Sequence, residues 1–256
     1  MSKETTSKTL TVALVLCIVC SMVVSGAAVL LKDKQSANKL LDRQSNILAA
    51  AGLLDAEKSV AEQFAQVKTR VVDLDKGVFT SDIDAATFDQ LRSAKDKSLS
   101  TNLSGAEDLA KISRRENYAL VYVTEKEGEL DKIILPVRGY GLWSTMHGFL
   151  ALDKDANTVA GLGFYQHGET PGLGGEIDNP KWKSVWPGKK VYANGDVELG
   201  LIKGSVDAAS SQVDYQIDGL AGATLTSRGV TNLIHFWLGD MGFKKFLTNL
   251  RAGEAG

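Results

Sequence analysis

Cysteine is nearly absent. Cys17 and Cys20 are the only two among 256 residues, and both lie near the N-terminus. The remaining chain therefore holds no disulfide and no thiolate metal site. A cysteine-free body suits an oxidising compartment. Histidine is almost as scarce, at three residues. His167 and Glu169 stand two residues apart like metal ligands, yet a body so poor in imidazole and thiolate argues against a transition-metal site. There is no basic excess: the net charge is -2, which leaves no footprint for nucleic acid. No Gly-x-x-x-x-Gly-Lys stretch occurs, which excludes a P-loop. Gly-x-Ser-x-Gly is missing as well, so Ser144, His147 and an Asp make a hydrolase only on paper.

Charge is missing altogether from Thr9 to Leu31, which reads TLTVALVLCIVCSMVVSGAAVLL between Lys8 and Lys32. About 20 apolar residues cross a bilayer as a helix. The apolar region of a cleaved signal peptide is shorter, roughly 7–15 residues. A retained single-pass transmembrane helix is therefore expected, with lipid as a partner. Cys17, Ser21, Ser25 and Ala28 fall on one side of it, a stripe that serves close helix approach or simply faces lipid. The Cys-x-x-Cys spelling inside this span reads as small hydrophobes. Ion paths through membranes need charged groups or a polar cavity, so this chain alone should conduct nothing. Lys3 and Lys8 precede the span, while Lys32, Lys34, Lys39 and Arg43 follow it. That count alone would place the large domain in the cytoplasm.

The hydrophobic fraction of 44% and charged fraction of 23% are those of an ordinary folded protein. Residues Lys32 to about Ala51 read as a helix leaving the membrane, stopped by Gly52. Ala56 to about Ser104 is polar and mixed, and reads as a smaller subdomain. From Tyr118 strands take over. YALVYVT turns at Glu127-Gly128 into LDKIILPVRG, and GFLALDKDANTVAGLGFYQH repeats the design around Asp155-Ala156-Asn157. KKVYANGDVELGLIKG reads as a further hairpin around Asn194-Gly195. Short turns imply antiparallel pairing. A last helix begins near Thr226 to Gly229, with Val230, Leu233, Ile234, Trp237 and Leu238 as its apolar face. The expected class is α+β: an antiparallel sheet with packed helices, preceded by one N-terminal transmembrane helix. The expected organisation is a short cytoplasmic tail at 1–8, the span at 9–31, a membrane-proximal piece at 32–104 and a main domain at 105–256.

Three stretches can carry chemistry. DGLAGATLTSRGV, from Asp218 to Val230, sets small residues and hydroxyls at the door of the last helix. Helix N-termini favour phosphate, while Thr224, Thr226 and Ser227 serve equally well as ordinary caps. HGETPGLGGEI, from His167 to Ile177, is a glycine-rich loop after a strand. It is shaped either by turn needs or by a flat ring against Leu173. RGYGLWSTMHGFLA, from Arg138 to Ala151, puts Trp143 between two strands, where core filling and ring stacking are both open.

DGLAGATLTS resembles the motif that a flavin transferase modifies, Asp-x-x-(small/hydroxyl)-Gly-Ala-Thr. GETPGLGGEI and GLWSTMHGF are similar to the rest of the same FMN-binding domain. With the N-terminal anchor and the ending FWLGDMGFKKFL, the chain resembles, nearly throughout, the NqrC family of the sodium-translocating NADH:quinone reductases. The RnfG family of Rnf-type electron-transport complexes shares the FMN motif and is the alternative. A membrane-anchored binding or assembly module without cofactor is the other.

The resemblance implies an enzyme subunit, one of six in a complex of the bacterial inner membrane, with its large domain on the periplasmic side. It implies one FMN, esterified through its phosphate to Thr224 and relaying electrons between an iron–sulfur centre and the FMN of the NqrB partner. NADH oxidation and ubiquinone reduction would belong to other subunits. No residue of this chain would be catalytic in itself. Thr170 and Leu173 would lie against the isoalloxazine with Trp143 nearby, and Gly172 and Gly174 would admit the ring to the backbone. Asp218 and Gly222 would serve recognition by the transferase, and Ala223, Leu225 and Thr226 complete the cofactor-binding stretch. The chain departs from the motif at Ala221, where Ser or Thr is usual. Lys181 and Lys183 are candidate anion neighbours.

Overall fold

The computed structural model describes residues 5–256, so the first half of the expected 1–8 tail lies outside the described residues. The chain divides into two compact units at Arg43/Gln44. Helix α1 runs Thr6–Ala50. From Leu10 to Leu31 its large apolar side chains are exposed, and apolar residues on every side of a helix mark a non-aqueous surrounding. The helix is one candidate membrane span by length and composition. It stops as its sequence foretells: Gly52 takes φ +68°, Gly52 N–H donates to Ala49 O at 3.0 Å and Leu53 N–H to Leu48 O at 2.8 Å. That pair of bonds satisfies the last carbonyls in a Schellman arrangement.

After α1 the elements follow as α2 (Val60–Phe64), β1 (Val67–Asp73), β2 (Val78–Thr80), α3 (Gln90–Ser93), β3 (Ser100–Asn102), β4 (Arg114–Glu116), β5 (Tyr118–Lys126), β6 (Glu129–Tyr140), β7 (Thr145–Asp153) and β8 (Val159–Gln166). Then come α4 (Pro180–Lys183), β9 (Tyr192–Ala193), β10 (Asp196–Val197), β11 (Gly200–Leu201), β12 (Gln216–Ile217), α5 (Thr224–Leu238) and α6 (Lys244–Ala252). Six strands form one sheet in the order β2-β1-β5-β6-β7-β8, antiparallel throughout. The fold is therefore α+β with an apolar N-terminal helix. β1 and β2 come from the 32–104 stretch and share the sheet with the strands after Tyr118. β1 is only half apolar in sequence because Lys68 to Arg70, which follow the buried Val67, are not buried.

The hairpin turns follow their residues. Glu127 and Gly128 adopt φ +57° and +84°, and Asn194 and Gly195 adopt +52° and +90°. Two successive positive φ values match the twist of two-residue hairpins. The sheet is covered on both faces, which is why its strands read as near-continuous apolar runs. Ile133, Leu135, Val137, Met146 and Leu150 share a core with Val230, Leu233 and Trp237 of α5. Leu120, Tyr122, Ile134 and Phe149 meet Ile47, Leu48 and Ala50 from the end of α1. Val230, Leu233, Ile234, Trp237 and Leu238 are all fully buried, so the 3.6-residue period of α5 points into the sheet. Trp237 Nε1–H donates to Arg138 O at 2.7 Å, which removes the cost of burying an indole N–H.

This packing fixes the site from below. The β6–β7 connection, 141–144, projects from strands whose register is set at Tyr140↔Thr145 and Gly139↔Met146. The first turn of α5 is set by a helix locked to the same sheet.

A Cβ on Gly161 would sit 2.4 Å from the Ala50 carbonyl oxygen, whereas one on Gly163 meets only Ala50 Cβ at 3.9 Å. Gly161→Ala should cost roughly 1–3 kcal/mol by overpacking, and Gly163→Ala far less. Chemical denaturation of the detergent-solubilised chain measures both. Equal midpoints for the two variants would show that the end of α1 does not seat on β8.

Candidate functional site

The three motif stretches converge on one carboxylate. Glu169 is 5% exposed. Its Oε1 accepts the Trp143 N–H at 3.0 Å, and the Leu142 N–H reaches both carboxylate oxygens at 3.1 and 3.2 Å. Its Oε2 accepts the Thr226 hydroxyl at 2.6 Å, and Thr226 is itself buried. One side chain thus ties the β6–β7 turn and the first turn of α5 to the loop after β8. Burial pushes the Glu169 carboxyl up, but the Thr226 hydroxyl and the backbone N–H groups of Trp143, Leu142 and Ser144 outweigh it. The net pKa lies below the usual 4.5, so the group is an anion at neutral pH.

Glycines make this approach possible: a Cβ on Gly141 would stand 2.6 Å from Glu169 Oε1. A Cβ on Gly174 would stand 2.5 Å from Thr226 Oγ1 and 2.8 Å from Glu169 Oε2. Gly222 has φ +72°, and a Cβ there would stand 3.1 Å from Leu173 Cδ2. Leu173 therefore lies directly on the Gly222 turn. The loop is closed from within by the Thr170 carbonyl, which accepts from Leu173 N–H at 3.1 Å and Gly175 N–H at 2.9 Å. Gly172 takes φ +75° at its tip.

Above this node the surface is apolar. Trp143 is 65% exposed, Leu225 52%, Leu173 45% and Leu142 39%, in a region where each is set by the node or by the helix start. Lone exposed apolar residues are ordinary, but a group of large ones marks a binding surface. Ala223 is buried as the N-cap residue of α5, and no side chain caps that helix. The hydroxyls that could cap it are used otherwise. Ser227 Oγ accepts the Leu220 N–H at 3.0 Å and donates to Ala223 O at 3.1 Å, while Thr226 serves Glu169. Thr224 opens the helix with its side chain exposed.

On the other side of Thr224 runs a groove of about 510 Å³. Thr224, Lys203, Ser205, Arg228 and Ala221 are among its lining residues, and no acidic side chain lines it. Arg228 stands four residues after Thr224, one turn further along the same helix face.

The remaining expected residues sit elsewhere. Asp218 is structural in its contacts: its carboxylate accepts the Val206 N–H at 2.7 Å and its carbonyl the Trp182 indole N–H at 3.0 Å. Lys183 pairs with Asp178 at 3.2 Å, which removes it as an anion neighbour, and Lys181 is exposed on α4. His167 contacts Asp178 through Nε2 at 2.7 Å and accepts the Glu169 N–H at Nδ1. Both of its nitrogens are thereby occupied. Among the described residues no cluster of three or more His, Cys, Asp or Glu could hold a metal. Ser144 Oγ accepts the Gly168 N–H at 2.6 Å, while His147 lies against Tyr165 with ring centroids 6.1 Å apart. That geometry assembles no hydrolytic pair. In the sequence Glu169 stands out only as a metal ligand beside His167. The signal that could have found its role is an acid heading a glycine-rich loop, with no lysine or arginine from Val159 to Asn179 to pair with it.

An FMN-binding domain family matches residues 141–239, the stretch that contains the whole node. The NqrC protein of the Na(+)-translocating NADH-quinone reductase of Pseudomonas aeruginosa is 58% identical over 259 residues, covering 99% of each chain. Its counterpart from Vibrio vulnificus is 47% identical, covering 98% of each. The crystal structure of Shewanella oneidensis NqrC superposes with a TM-score of 0.77 at 34% identity, covering 84% of this chain and 99% of that one.

Thr226→Val removes one donor from the Glu169 carboxylate without changing side-chain size. Hydrogen bonds to charged groups contribute roughly 1.5–3 kcal/mol, and a loss of that order is expected at neutral pH. The folded pKa of Glu169 is depressed, so its stabilisation is present above about pH 4.5 and is lost as pH falls through the folded value. The stability gap between wild type and Thr226→Val should therefore shrink on acidification. Denaturation midpoints at pH 7 and at stepwise lower pH measure it, and a gap constant with pH would contradict the charged bond.

Proposed function

The chain belongs to the NqrC family of the Na(+)-translocating NADH-quinone reductases, and from that membership we propose that it carries FMN covalently on Thr224 and relays electrons inside the membrane complex. The observation that carries this reading is the start of α5. An exposed threonine hydroxyl opens a helix that no side chain caps, beside a groove with Lys203 and Arg228 and no acid. Uncapped N–H groups and the helix dipole favour an anion there. A phosphodiester monoanion on Thr224 meets that field from its attachment point. The residues present thus fit the phosphate end of FMN.

They also fit the ring end. Leu173, Leu142 and Trp143 offer apolar surface next to the Gly222 turn, and the Glu169 node holds them relative to Thr224. Thr170, Gly172 and Gly174 supply the backbone edge of the same loop. Bound FMN would supply the redox-active ring; this chain's residues orient it, shield one face and hold its tether. In this reading a flavin transferase installs the ester, with Asp218 and Gly222 shaping the turn it must recognise. Ala221 lines the groove and is not the acceptor.

The apolar part of α1 is the membrane span, residues 9–31 in this reading, in the bacterial inner membrane. The domain after it stands on the periplasmic side. Electrons pass between an iron–sulfur centre and the FMN of the NqrB partner, while other members of a complex of six subunits oxidise NADH and reduce quinone. The span contains no charged residue from Thr9 to Leu31, so sodium takes its path through those partners.

Protein made in a host with the flavin transferase should run as a fluorescent band on a denaturing gel, and its Thr224 peptide should carry the mass of the flavin phosphate. Thr224→Ala should lose both. A band that persists in the variant would sink the assignment, and an unmodified peptide from the loaded host would point to a cofactor-free module. Leu173→Gly should leave the bond intact and change the flavin absorption spectrum. A periplasm-active reporter fused after Gly256 should be active; silence of a stably made fusion would reverse the orientation.

A further inference from the structure

The Glu169 carboxylate is buried, ionic and unpaired with any cation among the described residues, since all its partners are N–H and O–H dipoles. Folding alone does not require this. A buried charge held only by dipoles is an expensive way to join a turn to a helix, and a neutral amide of the same shape could accept the Leu142 and Trp143 N–H groups. The position of the charge is the informative part. It lies directly beneath the residues that form the apolar face: Trp143 and Leu142 by their own N–H groups, Gly174 within 2.8 Å of Oε2 at its would-be Cβ, and Thr226 two residues after Thr224.

We propose that Glu169 is the positioning residue of the flavin site and that its fixed negative charge holds the reduction potential of the bound flavin down. This rests on the FMN reading above. A group that gains electrons next to a fixed anion in a low-dielectric layer does so less readily. The hydrogen bonds set how much of that charge is felt. They neutralise it in part, and the glycines at 174 and 222 keep the carboxylate, the Leu173 loop and the helix start at one separation.

Two substitutions give opposite signs. Glu169→Gln removes the charge and keeps the shape, so the midpoint potential of the covalently loaded, full-length protein should rise. Thr226→Val keeps the charge and removes one compensating donor, so the potential should fall. Both are read by spectroelectrochemical titration at pH 7. Positioning is read without flavin, in a Thr224→Ala background, by amide hydrogen exchange of the peptide holding Leu142 and Trp143. Protection should survive Glu169→Gln and drop at least tenfold in Glu169→Ala.

A potential unchanged in both variants, or shifted in the same direction in both, overturns the proposal. If Glu169→Gln fails to fold or to load, Thr226→Val decides: a lowered potential supports the role and an unchanged or raised one overturns it. Exchange protection that survives Glu169→Ala overturns the positioning role. Absence of covalent flavin from the wild type is the separate failure of the FMN reading, and the exchange measurement still tests the node.

Discussion

The site depends on a hydrogen-bonded anion under an apolar surface. Glu169 accepts from two consecutive backbone N–H groups and one buried hydroxyl, and bonds to an ionised carboxylate are stronger than those between neutral groups. Their geometry is demanding because the acceptor and its donors come from three places in the chain. The β6–β7 turn is placed by strand register, the loop after β8 by its own Thr170 carbonyl, and Thr226 by a helix whose apolar face is locked to the sheet. Remove the sheet's register and the donors no longer point at one spot. Substitute Gly174 and the carboxylate can no longer reach Thr226. The site is therefore the place where the fold's constraints meet, and its residues would not assemble from any one segment alone.

The start of α5 divides the surroundings of Thr224 into two kinds of surface. Toward Leu173 and Trp143 the surface is apolar and stiffened by the node. Toward Lys203 and Arg228 it is a groove that holds two cationic side chains and no acid. A molecule that is flat and apolar at one end and anionic at the other matches that division. The uncapped helix start belongs to the same logic. Ala223 at the N-cap has no side-chain oxygen to accept the first N–H groups of its helix, and Ser227 and Thr226 are bonded elsewhere, so those N–H groups stay available to an anion.

Much of the fold was legible in the sequence. The 3.6-residue spacing from Val230 to Leu238 gave the buried face of α5, and the turn residues at Glu127-Gly128 and Asn194-Gly195 gave the hairpins. Gly52 marked the end of α1. β1 was not legible, because Lys68, Thr69 and Arg70 break its apolar pattern where the strand is not fully buried. The sequence pointed to the loops of the candidate site as glycine-rich and ring-like or turn-like without deciding between them. What it could not convey was Glu169. Its partners lie 26 or 27 residues upstream and 57 downstream, and two of them are backbone groups that have no spelling. The hydroxyls were misleading for the same reason. Ser227 and Thr226 both look like caps, yet Ser227 is spent on the turn just before the helix and Thr226 on a tertiary bond to Glu169.

The exposure of the apolar face bears on why a covalent bond would be needed at all. Sites that hold small ligands by burial enclose most of the ligand surface, about 70–90% of it. Here Trp143, Leu225 and Leu173 are each close to half exposed or more, and the groove beside Thr224 is open. Apolar contact contributes in proportion to the area removed from water, so a ring resting on this face would gain little and leave readily. The proposed ester to Thr224 would replace that missing affinity with a bond and would leave the ring accessible. For an electron carrier, accessibility is the useful property, since a donor and an acceptor must both come close. Deepening the pocket would strengthen binding at the cost of that access, whereas a tether on a stiff, shallow face retains the cofactor and keeps it within reach.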